Sequence, residues 1–207
     1  MKEHPIIMSP WKVNRILEWD WTKGDMQTRR VIVPQPFDWI QTVRSDEYTS
    51  GIWWFGRGGD VGREVNARSC PYGVPGDRLW TKESYWSFGG EIHYSEDVTS
   101  ELLAKPHWQG GKHVSSRFMP KVYSRLTLEV VNVRVERVQD ITEEDARAEG
   151  CPFSWDGKHY DPPTPQQDPW QGYGRSSFIM LWDSINAKRG FGWEKNPWVW
   201  VVTFKRM

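Results

Sequence analysis

Two arginines stand side by side after a threonine in Gln27-Thr28-Arg29-Arg30. A guanidinium presents a planar fork of N–H donors that fits a phosphate, a carboxylate or a base edge. On a strand, neighbouring side chains point to opposite faces, so Arg29 and Arg30 are expected to serve different surroundings. A second basic feature is spread more widely. Residues 102–125 hold Lys105, Lys112, Arg117, Lys121 and Arg125 with His107, His113 and no acid, whereas 136–149 hold Glu136, Asp140, Glu143, Glu144, Asp145 and Glu149 against Arg137 and Arg147. The basic segment suits an anion or nucleic-acid surface, with Trp108 and Phe118 as stacking faces and Arg117 and Lys121 as phosphate contacts. Two solvated faces that balance each other would carry the same pattern.

Other chemistries are poorly served. His4, His93, His107, His113 and His159 show no H-x-x-x-H spacing and no Cys/His pairing, so neither a metal nor another cofactor is expected. Gly56-Arg57-Gly58-Gly59-Asp60-Val61-Gly62 approaches a phosphate loop, but the glycine spacing fails at Val61 and no helical pattern follows, which leaves a hairpin. Cys70 and Cys151 are isolated thiols, consistent with a reducing compartment and no disulfide framework.

The elements that must position these residues can be read from their patterns. Ser9-Pro10 is an N-cap with proline at the first helical position, and Val13, Ile16 and Leu17 follow at helical spacing, predicting a helix to about Glu18. Residues 27–33 read as a strand, residues 51–77 as glycine-rich turns and hairpin pieces, and Leu79-Trp80-Thr81 as a strand leaving a turn. The longest strand is predicted over 125–138. Its apolar parity switches near Val130-Val131, which calls for a bulge or sharp bend, as in a small coiled barrel. Ile141-Thr142-Glu143-Glu144-Asp145-Ala146 carries an N-cap threonine, an acidic third position and a hydrophobic staple, with Gly150 as the stop. Phe178, Leu181, Trp182 and Ile185 predict a helix buried on one face, and Trp198 to Phe204 a central strand covered on both. The order implies a single α+β domain over 1–207, built on a bent sheet or barrel. Residues 151–175, with five prolines, read as a long loop.

A chain of 207 residues with 27 basic and 27 acidic side chains fits one soluble domain. Neutrality argues against uniform coating of nucleic acid, but it sums a basic segment and an acidic one. No run is long and apolar enough to span a membrane, and the N-terminus lacks a signal core, so no membrane association and a cytoplasmic location are expected. Of the 15 tryptophans, Trp80, Trp182, Trp198 and Trp200 fall on expected core positions; Trp19, Trp21, Trp53, Trp54, Trp108, Trp155 and Trp170 fall in turns and loops, where a stacking or partner surface is expected.

Several stretches in order carry a resemblance. Ile16-Leu17-Glu18, Gln27-Thr28-Arg29-Arg30, Pro71-Tyr72-Gly73-Val74-Pro75-Gly76-Asp77-Arg78-Leu79-Trp80, Arg125 to Val130, Asp140 to Gly150, Leu181 to Asn186 and Asn196 to Val202 resemble the phage and prophage branch of the ASCH domain family. Residues 37–68, 84–116 and 151–175 have no counterpart and are expected as loop excursions. The resemblance implies a PUA-like β-barrel with short flanking helices and a cleft for a nucleoside, a nucleotide or single-stranded RNA or DNA, in a bacterial host cell if phage-encoded.

Small bacterial members of that family are amidohydrolases that remove the acetyl group from N4-acetylcytidine with a Lys, a Thr and a Glu. Their threonine, in a motif like G-R-K-T-x-T-x-R, corresponds to Thr28; their glutamate, in T-E-x-x-A-x-x-E, corresponds to Glu149. An ungapped count puts Asp25 in the lysine's place, with Lys23 two residues earlier as the catalytic counterpart and Lys82 or Lys121 as other cations that could serve. Three readings follow: a nucleoside or nucleotide pocket with amide hydrolysis, using Lys23, Thr28 and Glu149 beside Arg29 or Arg30; a non-catalytic nucleic-acid module on 105–125; and a phage accessory protein that binds a host protein through exposed tryptophans.

Overall fold

The computed structural model describes residues 1–36, 40, 42–45, 52–56, 64–105, 110–151 and 174–207. Its strands are β1 (Glu3–Ile7), β2 (Met26–Val31), β3 (Thr42–Ser45), β4 (Ile52–Gly56), β5 (Glu64–Ser69), β6 (Arg78–Lys82), β7 (Tyr85–Phe88), β8 (Glu91–Tyr94), β9 (Lys112–Val114), β10 (Thr127–Arg137) and β11 (Trp198–Arg206). The α-helices are α1 (Pro10–Glu18), α2 (Ser100–Leu103), α3 (Glu143–Ala148) and α4 (Gly174–Asn186). The chain is therefore mixed α+β, with more strand than helix.

Five strands form the main sheet in the order β1-β6-β10-β11-β2, and β3-β4-β5 and β8-β7-β9 form two smaller sheets. No ladder joins β2 to β1 among the described residues, so the expected closure into a barrel is not seen there. The two small sheets fall within 37–69 and 84–116: β4 and β5 are hairpin pieces of the kind expected within 51–77, whereas β3 and the β8-β7-β9 sheet stand where loop excursions are expected. These strands are short, so periodicity had little length over which to show. The long excursion at 151–175 falls mostly outside the described residues.

The bulge has a clear purpose. β10 pairs with β11 in a register that shifts between Val130 and Asn132. Leu128 and Val130 before the shift, and Val133 after it, all sit in the same buried cluster. One extra residue thus keeps apolar side chains on one face while the strand bends. β11 is central and covered on both sides, as its sequence predicts. Trp198, Trp200, Val202 and Phe204 face a core shared with Val13 and Ile16 of α1, whereas Val199 and Val201 face Ala146, Phe178 and Trp182 from α3 and α4. Each such buried aliphatic contributes about 1.5–3 kcal/mol.

Three tryptophans expected on a partner surface are placed otherwise. Trp19, Trp21 and Trp53 pack against the main core, and Trp53 meets Trp200 edge-on at 6.0 Å between ring centroids. A wide aromatic covers exposed sheet and helix surface that a short turn cannot reach with smaller side chains. Trp108, Trp155 and Trp170 lie outside the described residues. Among the described residues no helix is long and apolar enough to cross a membrane.

Candidate functional site around Lys12 and Glu149

Among the described residues β2 is an edge strand, hydrogen-bonded to β11 on one side only. α3 packs against β2, and α1 reaches it through the Lys12 side chain. Pro10 starts α1 with a preset φ, and Val13 and Ile16 bury one face against the sheet. Lys12 lies one turn before Ile16, so its side chain is carried into the same buried region, where the residue is 4 % exposed. Its Nζ donates to the Gln27 carbonyl at 3.0 Å and, more closely, to the Glu149 carbonyl. The Glu149 Oε2 atom stands 3.5 Å from the same nitrogen.

Glu149 reaches this position from the end of α3. Thr142 and Asp145 form a capping box that sets the start of the helix, and Gly150, at φ 67°, ends it in the left-handed region. A carboxylate at a helix C-terminus opposes the helix dipole, so compensation is needed. Two cations supply it: Lys12 on one side, and Arg29, whose NH1 donates to Glu149 Oε1 at 3.2 Å, on the other.

Arg29 is fully committed to this structure. Besides Glu149 it meets Asp145 Oδ2 at 2.9 Å and, through Nε at 3.1 Å, Glu136 Oε1. Arg134 closes the network on Glu136 at 3.0 Å and on Asp145 at 2.7 Å, and Gln27 Nε2 donates to Asp145 Oδ1 at 2.9 Å. The acidic segment at 136–149 is therefore not a bare solvated face: three of its carboxylates surround one buried guanidinium.

Burial acts on the titratable groups here. It lowers the Lys12 ammonium from the usual lysine range, against the opposing pull of Glu149. Asp145 is also held below its ordinary value: burial raises it, but the Gln27 hydrogen bond and the Arg29 and Arg134 charges outweigh burial. The adjacent Cys151 thiol is pushed up to about 12 by burial and then by the Glu149 charge, so it stays neutral and inert as a nucleophile.

Lys12, Arg29 and Glu149, but not Asp145 or Cys151, line a cavity of about 360 Å³ between α1, β2 and α4. Lys12, Thr28, Arg29, Arg30 and Glu149 contribute polar surface, and Trp11, Phe178 and Trp182 contribute aromatic walls. The volume falls within the roughly 300–1,000 Å³ of small-molecule sites. A buried amine of lowered basicity, a hydroxyl and an oriented carboxylate can together move protons and hold a developing negative charge.

Of the residues singled out from sequence, Thr28, Arg29, Arg30 and Glu149 meet at this cavity. Lys23 does not. It lies in an exposed 3-10 turn after α1, its side chain 71 % exposed and 3.8 Å from Asp20, because the Trp19–Lys23 insert projects as a turn pinned by Asp20 and Thr22. Asp25, the ungapped alternative, is exposed as well. Lys82 donates to the Arg117 carbonyl at 2.6 Å, and Lys121 is paired with Glu3 on the surface. The lysine beside Glu149 is Lys12, which the sequence reading passed over. Its signal was a charged residue inside an apolar helical stripe, four residues before Ile16.

Within the basic segment, the side chains take different surroundings. Arg125 is turned inward onto the buried Glu83 at 2.6 Å, Lys121 is paired with Glu3, Arg117 is exposed, and Trp108 lies outside the described residues. Comparison of the chain with protein-family models, with curated proteins and with solved structures finds no match to any of them.

Proposed function

We propose that the cavity binds a nucleoside or nucleotide and hydrolyses the amide of an N4-acylated cytosine, with Lys12, Thr28 and Glu149 touching the reacting atoms, on an ASCH-type, PUA-like scaffold. One observation carries the reading: Lys12 Nζ stands 3.5 Å from Glu149 Oε2 in a cavity that Thr28 also lines. The resemblance asks for a lysine, a threonine and a glutamate, and Lys12 meets the requirement from a different element than the one the motif implies. The bulged, bent β10 at the centre of the sheet supports the PUA-like reading of the scaffold.

The chemistry follows from the donors and acceptors present. The step begins with transfer of one Lys12 proton to Glu149, which leaves an amine with two N–H bonds for its two backbone carbonyl acceptors and a free lone pair. Thr28 adds through its hydroxyl oxygen to the acyl carbon while its proton passes to the Lys12 amine. The carbon–nitrogen bond then breaks, and Glu149 gives its proton to the departing N4 amine, which restores the lysine–glutamate ion pair. Water adds to the threonyl ester, its proton travels through the same pair, and the carboxylic acid leaves with the Thr28 hydroxyl restored. Arg29 holds Glu149 in place throughout as a positioning residue.

The test is to incubate the protein with a panel of N4-acylated cytidines and cytidine monophosphates and to follow the deacylated nucleoside or nucleotide chromatographically. Release of the deacylated product by the native chain and its loss in Thr28→Val and Glu149→Gln is the expected result. Binding of these compounds without product would reduce the site to recognition; neither binding nor product would overturn the reading.

A further inference from the structure

Resting on that reading, we propose that the cavity carries an anion subsite built by Arg30 and Arg189, so that its preferred occupant bears a phosphoryl group and is not a neutral nucleoside. Adjacent arginines on β2 supply an internal comparison. Arg29 is saturated by three carboxylates. Arg30, on the opposite face of the strand, has no carboxylate within ion-pair distance among the described residues, yet it lines the same cavity. Its NH2 donates to the Ile7 carbonyl at 2.7 Å, which fixes the guanidinium, and its Nε is buried without a hydrogen-bond partner among the described residues.

Arg189 reaches the cavity from the 3-10 turn that follows α4. It too has no carboxylate partner among the described residues; its NH1 donates to Asn186 Oδ1 at 2.9 Å, and its guanidinium lies 5.8 Å from the Phe191 ring. Both bonds orient the group and leave its charge uncompensated. Two guanidiniums facing one cavity repel each other; Arg30 loses basicity first through burial, which Tyr72 and Glu149 oppose and to which Arg189 adds. An anion placed between them removes that repulsion and satisfies the orphaned Nε–H. A phosphoryl group fits best, because its oxygens accept from two forks at once. Ser9 strengthens the assignment: it caps α1 without using its side chain for the cap, and it lines the cavity.

The same phosphoryl chemistry belongs to a mononucleotide or to a strand end, and the experiment separates them. Calorimetric titrations compare cytidine 5′-monophosphate, cytidine, inorganic phosphate and a short 5′-phosphorylated cytosine oligonucleotide on the native chain and on Arg30→Gln, Arg189→Gln and the double variant. Circular dichroism and melting temperature check the fold of each, and Arg189→Gln, at an exposed position, guards against a misfolded Arg30 variant. Cytidine monophosphate is expected to bind at least about tenfold more tightly than cytidine, the worth of one or two charge-assisted hydrogen bonds. That preference should fall in each single variant and vanish in the double one. Tighter binding of the oligonucleotide would assign the phosphoryl group to a strand, and weaker binding to a free nucleotide. Equal affinity for cytidine and its monophosphate would overturn the subsite and leave the nucleoside pocket standing. Phosphate binding that depends on the two arginines, with no binding of cytidine or its monophosphate, would keep the subsite and remove the nucleoside pocket. No binding of phosphate or nucleotide overturns the subsite.

Discussion

Lys12 and Glu149, separated by 137 positions in the chain, meet with Nζ and Oε2 3.5 Å apart. The pair is nearly sealed from solvent; two backbone carbonyls hold the Lys12 amine, and the Arg29 guanidinium holds the Glu149 carboxylate. It links the start of α1 to the end of α3 across the edge strand β2. Arg29 makes the arrangement sustainable, because its guanidinium offsets the charges that Glu136, Asp145 and Glu149 bring to the same place.

Substitution of Arg29 should therefore damage the fold more than the chemistry at first. Arg29→Leu leaves three carboxylates crowded together with one fewer cation, and the expected loss is about 3–5 kcal/mol, the usual cost of removing one partner from a buried charge cluster. Arg29→Lys should recover little of this, since an ammonium cannot span three carboxylates with a planar fork. Urea titrations check both; a midpoint within error of the native chain for Arg29→Leu would contradict the account.

Two pH effects follow with opposite windows. The Asp145 carboxyl is depressed below 3.8 in the folded chain, so its contribution is fully present above that value and is lost as the pH falls through the folded one. Asp145→Asn should flatten the acid limb of the stability curve. Lys12 is depressed below 10.5, so between its folded value and 10.5 the unfolded chain binds more protons and stability rises with pH. Lys12→Met should abolish that alkaline rise, as read from melting temperature against pH.

Gly150 sets where Glu149 points. It has φ 67°, and a Cβ there would stand 2.8 Å from Met26 Cε and 3.0 Å from Arg15 Cγ. Gly150→Ala is expected to cost about 1–3 kcal/mol through the left-handed backbone and the crowding. Ligand affinity should weaken alongside stability, because Glu149 shifts with its neighbour. Unchanged stability and affinity would show that the α3 terminus adapts freely.

The sequence pattern located α1, β2, the bulged β10, the capped α3, α4 and the doubly covered β11, because each carries a periodicity or a capping signal several residues long. It missed β1, β3 and the β8-β7-β9 sheet. Their strands are three to five residues long, too short for a period to show, and their stability comes from neighbours distant in sequence. At the cavity, Arg29 and Arg30 were singled out by their adjacency on a strand, and Thr28 and Glu149 by the family resemblance. Lys12 was not, because its meaning depends on a contact with α3 that spacing along the chain cannot reveal; its only local trace is a charge placed where an apolar residue is expected. The surface tryptophans show the converse error: turn residues such as Trp19 and Trp21 fold back onto the core, and local sequence does not record the direction of a turn.

The most direct test of the central claim compares two lysines. Deacylation of an N4-acylated cytidine substrate is measured for the native chain, Lys12→Met and Lys23→Ala, with melting temperatures recorded beside the rates. Lys12→Met should lose about 10²–10³-fold in rate, the scale of removing one preorganised polar group from an active site, while Lys23→Ala, altered on an exposed turn, stays within about twofold, as surface changes away from a site commonly do. Full activity in Lys12→Met, or its loss on substitution of Lys23 alone, would contradict the account.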